Sequence, residues 1–174
     1  MAPHASGRAT DVRGVLDAIR RIIQALRTSS RDAERRVGLS SAQLFALQQL
    51  ATMSGASIND LAARTFTHQS SVSVVVQRLV ARKLVAKGTS SADRRRVRLT
   101  VTDQGRTLLR RSPEAMQERL IAGIAALPAA DRRALATMLA AIADTIAVRG
   151  AAPPMLFEDG RNGKGGVSRK SRVR

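Results

Sequence analysis

The sequence contains no cysteine, tryptophan or tyrosine, and only two histidines among its 174 residues. Without cysteine there can be no disulfide, thiolate metal site or thiol redox switch. His4 and His68 are too few for a zinc site of ordinary ligand makeup. Aromatic residues amount to 2%, namely Phe45, Phe66 and Phe157. RNA-binding modules that stack bases on aromatic platforms are disfavoured accordingly. No apolar run approaches the ~18 residues of a spanning helix. The most apolar stretch, 134–148, contains Asp144 and follows Arg132 and Arg133. The N-terminus carries no apolar block of the signal-peptide kind, so a cytoplasmic location with no membrane partner is expected.

Acid is also scarce. Thirteen Asp and Glu stand against thirty Lys and Arg, a formal net charge of +17. That exceeds what solubility needs and points to a polyanionic partner. Nucleic acid is the first candidate and an anionic membrane surface the second. What the chain has in quantity is aliphatic: 44% of residues are hydrophobic, enough to bury a helix-rich core in one domain with or without a tail.

Residues 1–9 are small, polar and proline-containing, and are expected to be disordered. From Asp11 onward Val12, Val15, Leu16, Ile19, Ile22, Ile23 and Leu26 fall at helical spacing, predicting a helix over about 10–33 with one apolar stripe. Ser40 or Ser41 can cap a second helix, with Leu44, Leu47 and Leu50 inward. Ser57 followed by Asp60 resembles a capping box for a short helix over 58–64. "TFT" interrupts it, and a longer helix is predicted over 69–82.

The faces of that longer helix differ. Val72, Val75, Val76, Leu79 and Val80 keep the 3–4 rhythm of a buried side. Gln69, Ser70, Ser73, Val74, Gln77 and Ala81 share the opposite side, which holds no acid. Small side chains permit close approach, amides and hydroxyls can meet base edges, and nothing repels phosphate. The competing reading takes "SVSVVV" as a strand, but "QRLVARK" restores the helical period.

"LVAKG" and "RVRLTV" then read as two short strands joined by the turn-forming "TSSADR". Along the second, Arg96, Arg98 and Thr100 alternate with an apolar face of Val97, Leu99 and Val101. Thr102 or Asp103 can cap a helix over 103–126 that kinks or breaks at Pro113. Pro128 opens a last helix reaching about 148, striped by Leu135, Met138, Leu139, Ile142 and Ile146. Residues 150–174 hold six Lys or Arg, two acids and five Gly, the composition of a basic disordered tail. Within it "PPMLF", 153–157, either docks on the body or is an incidental patch, the latter being slightly favoured.

A helix–turn–helix followed by a two-stranded wing is a DNA-binding order of elements. The segments "SINDLAARTFTHQSSVSVVVQRLVARKLV" and "DRRRVRLTVTDQG" resemble the MarR family of winged helix–turn–helix transcriptional regulators, over roughly 10–148. The family's wing signature reads here as Asp93, Arg95, Val101, Thr102 and Gly105, with Val101 in place of the usual Leu. The fold expected is mainly α with a small β-hairpin wing: a winged helix–turn–helix at about 40–102 and a helical dimerisation region from 10–33 and 103–148.

The resemblance implies a homodimer on double-stranded DNA with a pseudo-palindromic operator, its half-sites about one helical turn apart. It places Gln69, Ser70, Ser71, Ser73 and Gln77 toward the major groove and Arg78 within reach of phosphate. Arg95 becomes the wing-tip residue that enters the minor groove, Asp93 its orienting ion-pair partner, and Arg94 and Arg96 further groove or phosphate contacts. Two departures stand out. Val74 replaces the Arg of many relatives, and Lys83 stands where Gly commonly ends the recognition helix.

Family members commonly release DNA on binding a small aromatic or phenolic effector, which makes a repressor the expected sign. His68 is a weak candidate for sensing a ligand or proton. No carboxylate pair, nucleophile–His–acid set, metal cluster or phosphate loop is recognisable, so neither an enzyme nor a cofactor is expected. The alternative function is a non-specific, nucleoid-type DNA binder without an effector. Either would associate with the nucleoid.

Overall fold

The computed structural model describes residues 4–53, 55–89, 97–146 and 154–156, with backbone alone at 4–7 and 89. The elements run α1 (His4–Val37), α2 (Ser41–Ala51), α3 (Ile58–Arg64), α4 (Gln69–Ala81), β1 (Val85–Thr89), β2 (Val97–Val101), α5 (Asp103–Leu109), α6 (Met116–Ala125) and α7 (Ala129–Ile146).

Helix α1 is longer at both ends than its apolar stripe. It starts at His4, inside the stretch expected to be disordered, where Ala5 and Ala9 favour helix without adding to any stripe. It ends at Gly38, whose φ of 66° and bond from its N–H to the Glu34 carbonyl (2.9 Å) form a left-handed stop. Among the described side chains of α1, those in its C-terminal half reach the core, through Leu26 and Ala33.

Helix α2 is the centre. Ser40 and Gln43 cap it reciprocally, and Leu44, Phe45, Ala46, Leu47 and Leu50 are all buried. A helix with apolar residues on every side needs neighbours on every side. Here α1, α3, α4, α5 and β2 supply them. Opposite α2, Val72, Val75, Val76 and Leu79 of α4 are buried, as the sequence period predicts, while Val80 is half-buried.

The hairpin is antiparallel, Val85 pairing with Val101 and Thr89 with Val97. Leu99 and Val101 point inward, but Val97 remains 45% exposed, contrary to its expected inward place. Leu99 instead marks where the strand meets the body: its N–H donates to the Ala56 carbonyl (2.8 Å), adding the α2–α3 connection as a third, single-bridge partner of the sheet. Val97, two residues further out, lies beyond that support.

Of the two cap candidates for α5, Thr102 is the one used. Its hydroxyl accepts from Gly105 N–H (3.1 Å) and donates to the Lys83 carbonyl (2.8 Å). Proline breaks the return helix in two, as one of the sequence alternatives had it. The break is bridged by Gln48 of α2, whose amide donates to the Pro113 carbonyl (2.8 Å) and accepts from Ala115 N–H (3.2 Å). Beside it, buried Ser41 donates to Gln117 Oε1 (2.9 Å). At the α6–α7 corner Arg132 donates to the carbonyls of Ala125 and Leu127, both at 3.0 Å.

"PPMLF" departs from the favoured expectation of an incidental patch. Met155 is 5% exposed within the main core cluster, and Gln117 Nε2 lies 3.5 Å from the Leu156 carbonyl. Apolar burial of a flexible thioether is sufficient reason for a Met to seat there. The rest of the expected tail, other than Pro154–Leu156, lies outside the described residues.

The tightest backbone approach is at Gly105. A Cβ there would lie 2.4 Å from the Leu84 carbonyl oxygen and 2.8 Å from Val101 Cγ1. Gly105→Ala must push the wing from α5, at about 1–3 kcal/mol by the usual toll of overpacking. Thermal melting should show a midpoint lower by roughly 2–4 °C per kcal/mol; an unchanged midpoint would mean that the wing base yields freely.

Candidate nucleic-acid interface

The candidate surface is built by α3, the turn at 65–68 and α4, flanked by the hairpin. Ser57 starts α3: its hydroxyl accepts from Asp60 N–H (3.2 Å), while Asp60 Oδ2 accepts from Ser57 N–H (2.9 Å). The Asp of this box reaches back as the usual Glu would. Helix α3 ends in a Schellman arrangement. Phe66 N–H donates to the Ala63 carbonyl (3.3 Å) and Thr67 N–H to that of Ala62 (3.0 Å), with Phe66 at φ 52°.

Helix α4 ends the same way. Lys83 N–H donates to the Val80 carbonyl (2.8 Å) and Leu84 N–H to that of Leu79 (3.0 Å), with Lys83 at φ 58°. Lysine thus takes the left-handed conformation that glycine would adopt without strain, a penalty of roughly 1 kcal/mol. The chain reverses there into β1.

The outward side of α4 matches its sequence reading. Gln69, Ser70, Val74 and Gln77 are exposed, and Ser71, Ser73 and Arg78 are half-buried at its margins. His68 is the N-cap residue, exposed, and makes no side-chain capping bond. From Leu61 to Ala92 the sequence has no acid and carries Arg64, Arg78, Arg82, Lys83 and Lys87. A surface of one sign with small side chains at its centre attracts a polyanion and lets it approach.

Several arginines near this surface serve the protein itself. Arg64 Nε donates to Gln49 Oε1 (2.9 Å), and Arg82 donates to the Gly38 carbonyl at the α1–α2 corner. Arg98, expected on the basic face of the wing, donates to the Gly55 carbonyl (2.6 Å) and so stitches β2 to the α2–α3 connection. Sequence reading missed this role because the partner is a backbone group 43 positions away. Asp93, Arg94, Arg95 and Arg96 lie outside the described residues.

Elsewhere, a groove between α1 and the α5–α6 junction is lined by Arg21, Gln24, Thr28, Asp32, Glu114 and Met116 among others, and His68 is remote from it in the chain and not among its lining residues. Among the described residues no helix is long and apolar enough to cross a membrane. None of them forms a group of three His, Asp or Glu able to hold a metal ion.

Comparison with known proteins agrees with this geometry. Residues 37–96 match the sequence model of the MarR family. The HTH-type transcriptional repressor MdtR of Bacillus subtilis is 26% identical over 88 residues, which are 51% of this chain and 57% of that protein. The chain therefore matches little more than half the length of this curated relative. The transcriptional regulator BldR from Sulfolobus solfataricus superposes with a TM-score of 0.50 at 22% identity, covering 84% of this chain and 100% of that one. A MepR-like protein crystallised with pseudoligands gives a TM-score of 0.50 at 20% identity, covering 79% and 94%. At these identities the two structures establish a shared fold.

The Arg98 bond generates a separable test. Hydrogen bonds to charged groups are worth about 1.5–3 kcal/mol, so Arg98→Ala should lower the melting midpoint by several degrees and speed amide exchange at Leu99. A variant that melts and exchanges like the parent would mean that Arg98 does not hold the hairpin.

Proposed function

We propose that this chain, whose residues 37–96 match the sequence model of the MarR family, is a sequence-specific regulator of duplex DNA, a repressor released by a small molecule. The observation that carries the reading is α4. It buries one apolar side and turns out an acid-free face of Gln69, Ser70, Ser73 and Gln77, next to a wing tied to the same body. A helix of this kind fits the major groove, with amides and hydroxyls at base edges. The hairpin tip, carrying Asp93, Arg94, Arg95 and Arg96, would reach the adjacent minor groove, where Arg95 is the residue assigned to enter.

The functional unit in this reading is a homodimer. Val12, Val15, Leu16, Ile22 and Ile23 of α1 are exposed, as are Met138, Leu139, Ile142 and Ile146 of α7, and α7 has no buried residue at all. Large apolar stripes on two helices of one chain call for a covering surface, and a second copy supplies both at once. The winged unit of about 40–102 then projects from a body made of α1 and residues 103–148. An effector of the small aromatic or phenolic acid class would sit between body and winged unit. The nucleoid-type alternative draws on the +17 charge and the basic residues of 150–174.

Duplexes selected from a random pool separate the two functions. Selected DNA should bind at least a hundredfold tighter than scrambled DNA of equal length at physiological salt, within the usual specific-to-nonspecific range; equal affinity would leave only the nucleoid reading. Arg95→Ala should weaken the selected duplex about tenfold or more and leave the oligomer intact, and an unchanged dissociation constant would remove the wing from recognition. Light scattering should give a dimer for the parent chain and a monomer for Ile22→Glu combined with Ile142→Glu. A monomeric parent would overturn the two-fold operator.

A further inference from the structure

Phe66 is placed at a double disadvantage for folding. Its side chain is 78% exposed while Phe45 is buried, so the ring contributes little to the core. Its backbone sits at φ 52° at the stop of α3, a conformation that glycine adopts freely and a side chain does not. Glycine would satisfy the same two backbone bonds, from Phe66 N–H to Ala63 and from Thr67 N–H to Ala62, without the exposed ring and without the strain. A residue that serves folding poorly on both counts points to a role outside the fold.

Its position says which role. Phe66 stands two residues ahead of His68, the N-cap of α4. In a helix–turn–helix the N-terminal end of the second helix is the part directed at base edges. The surrounding segment is acid-free from Leu61 to Ala92. The outward side of α4 adds a second exposed apolar side chain, Val74, at 44%. A phenyl ring can neither donate nor accept, so it cannot read the polar pattern of a base pair. The apolar feature that the major groove offers is the thymine C5-methyl group.

We propose that Phe66 is a specificity-determining residue that packs on thymine methyl groups in the major groove of the bound duplex. This rests on the duplex-binding reading above. It adds a sequence preference: thymine at a fixed position in each half-site, read by shape and apolar contact in place of hydrogen bonds.

The test uses the full chain, its selected duplex, and matched duplexes in which single thymines are replaced by uracil, which lacks only the methyl. Phe66→Gly should melt at the same temperature as the parent or higher, because it relieves the left-handed strain, and should bind the selected duplex about tenfold more weakly. The parent should lose about fourfold per methyl, the factor expected for one buried carbon, at one symmetry-related pair of thymines. Phe66→Gly should lose nothing further there. Three results overturn the proposal while leaving duplex binding in place: Phe66→Gly with undiminished affinity, Phe66→Gly with a lowered melting temperature, or equal uracil penalties in parent and variant. A parent chain that prefers no duplex over scrambled DNA removes the underlying reading, and this inference goes with it.

Discussion

Much of the architecture depends on what happens to the backbone at Pro113. Proline has no N–H and stops a helix, so a break in the return helix exposes carbonyl and amide groups that must find partners. Gln48 supplies them from α2, donating to Pro113 and accepting at Ala115. One amide thereby bridges the break ahead of α6 and ties it to α2, the most buried of the helices. Ser41 and Gln117 repeat the connection a short distance away. The direction of α6, and with it the corner into α7, follows from these two polar links set in an otherwise aliphatic core.

Local chemistry was largely legible in the sequence because its partners are near in the chain. Ser57 and Asp60, Ser40 and Gln43, and Thr102 and Gly105 each close a ring within four residues. The 3–4 spacing of Val72, Val75, Val76 and Leu79 located the inward side of α4, and with it the outward placement of Gln69, Ser70 and Gln77. Long-range pairing was not legible. Nothing around Arg98 announces Gly55, and nothing around Gln48 announces Pro113. Val97 shows the limit of alternation: period 2 says which side a residue faces, while exposure depends on how far the body extends beneath it. Met155 shows the converse, since a short apolar island in a polar stretch is buried if a slot waits for it.

Among the described residues the two left-handed ones that are not glycine, Phe66 and Lys83, bracket α4 and close the helices in the same way. Both turns therefore have their bond pattern independent of side-chain identity, leaving position 66 and position 83 free to carry chemistry on the surface. An exposed ring stands at one end of the helix and an exposed ammonium at the other. The strain is tolerated because each turn is held by two backbone bonds and by the buried valines and leucines between them.

The bridge between Leu99 and Ala56, the Arg98 clasp on Gly55 and the Thr102 bonds to Lys83 and Leu84 act like the rivet of a caliper. Hairpin and α4 cannot change their separation unless those bonds open. Any rearrangement that leaves those bonds closed must then carry hairpin and α4 together as one piece. The span between hairpin and α4 is thereby a property of the single chain.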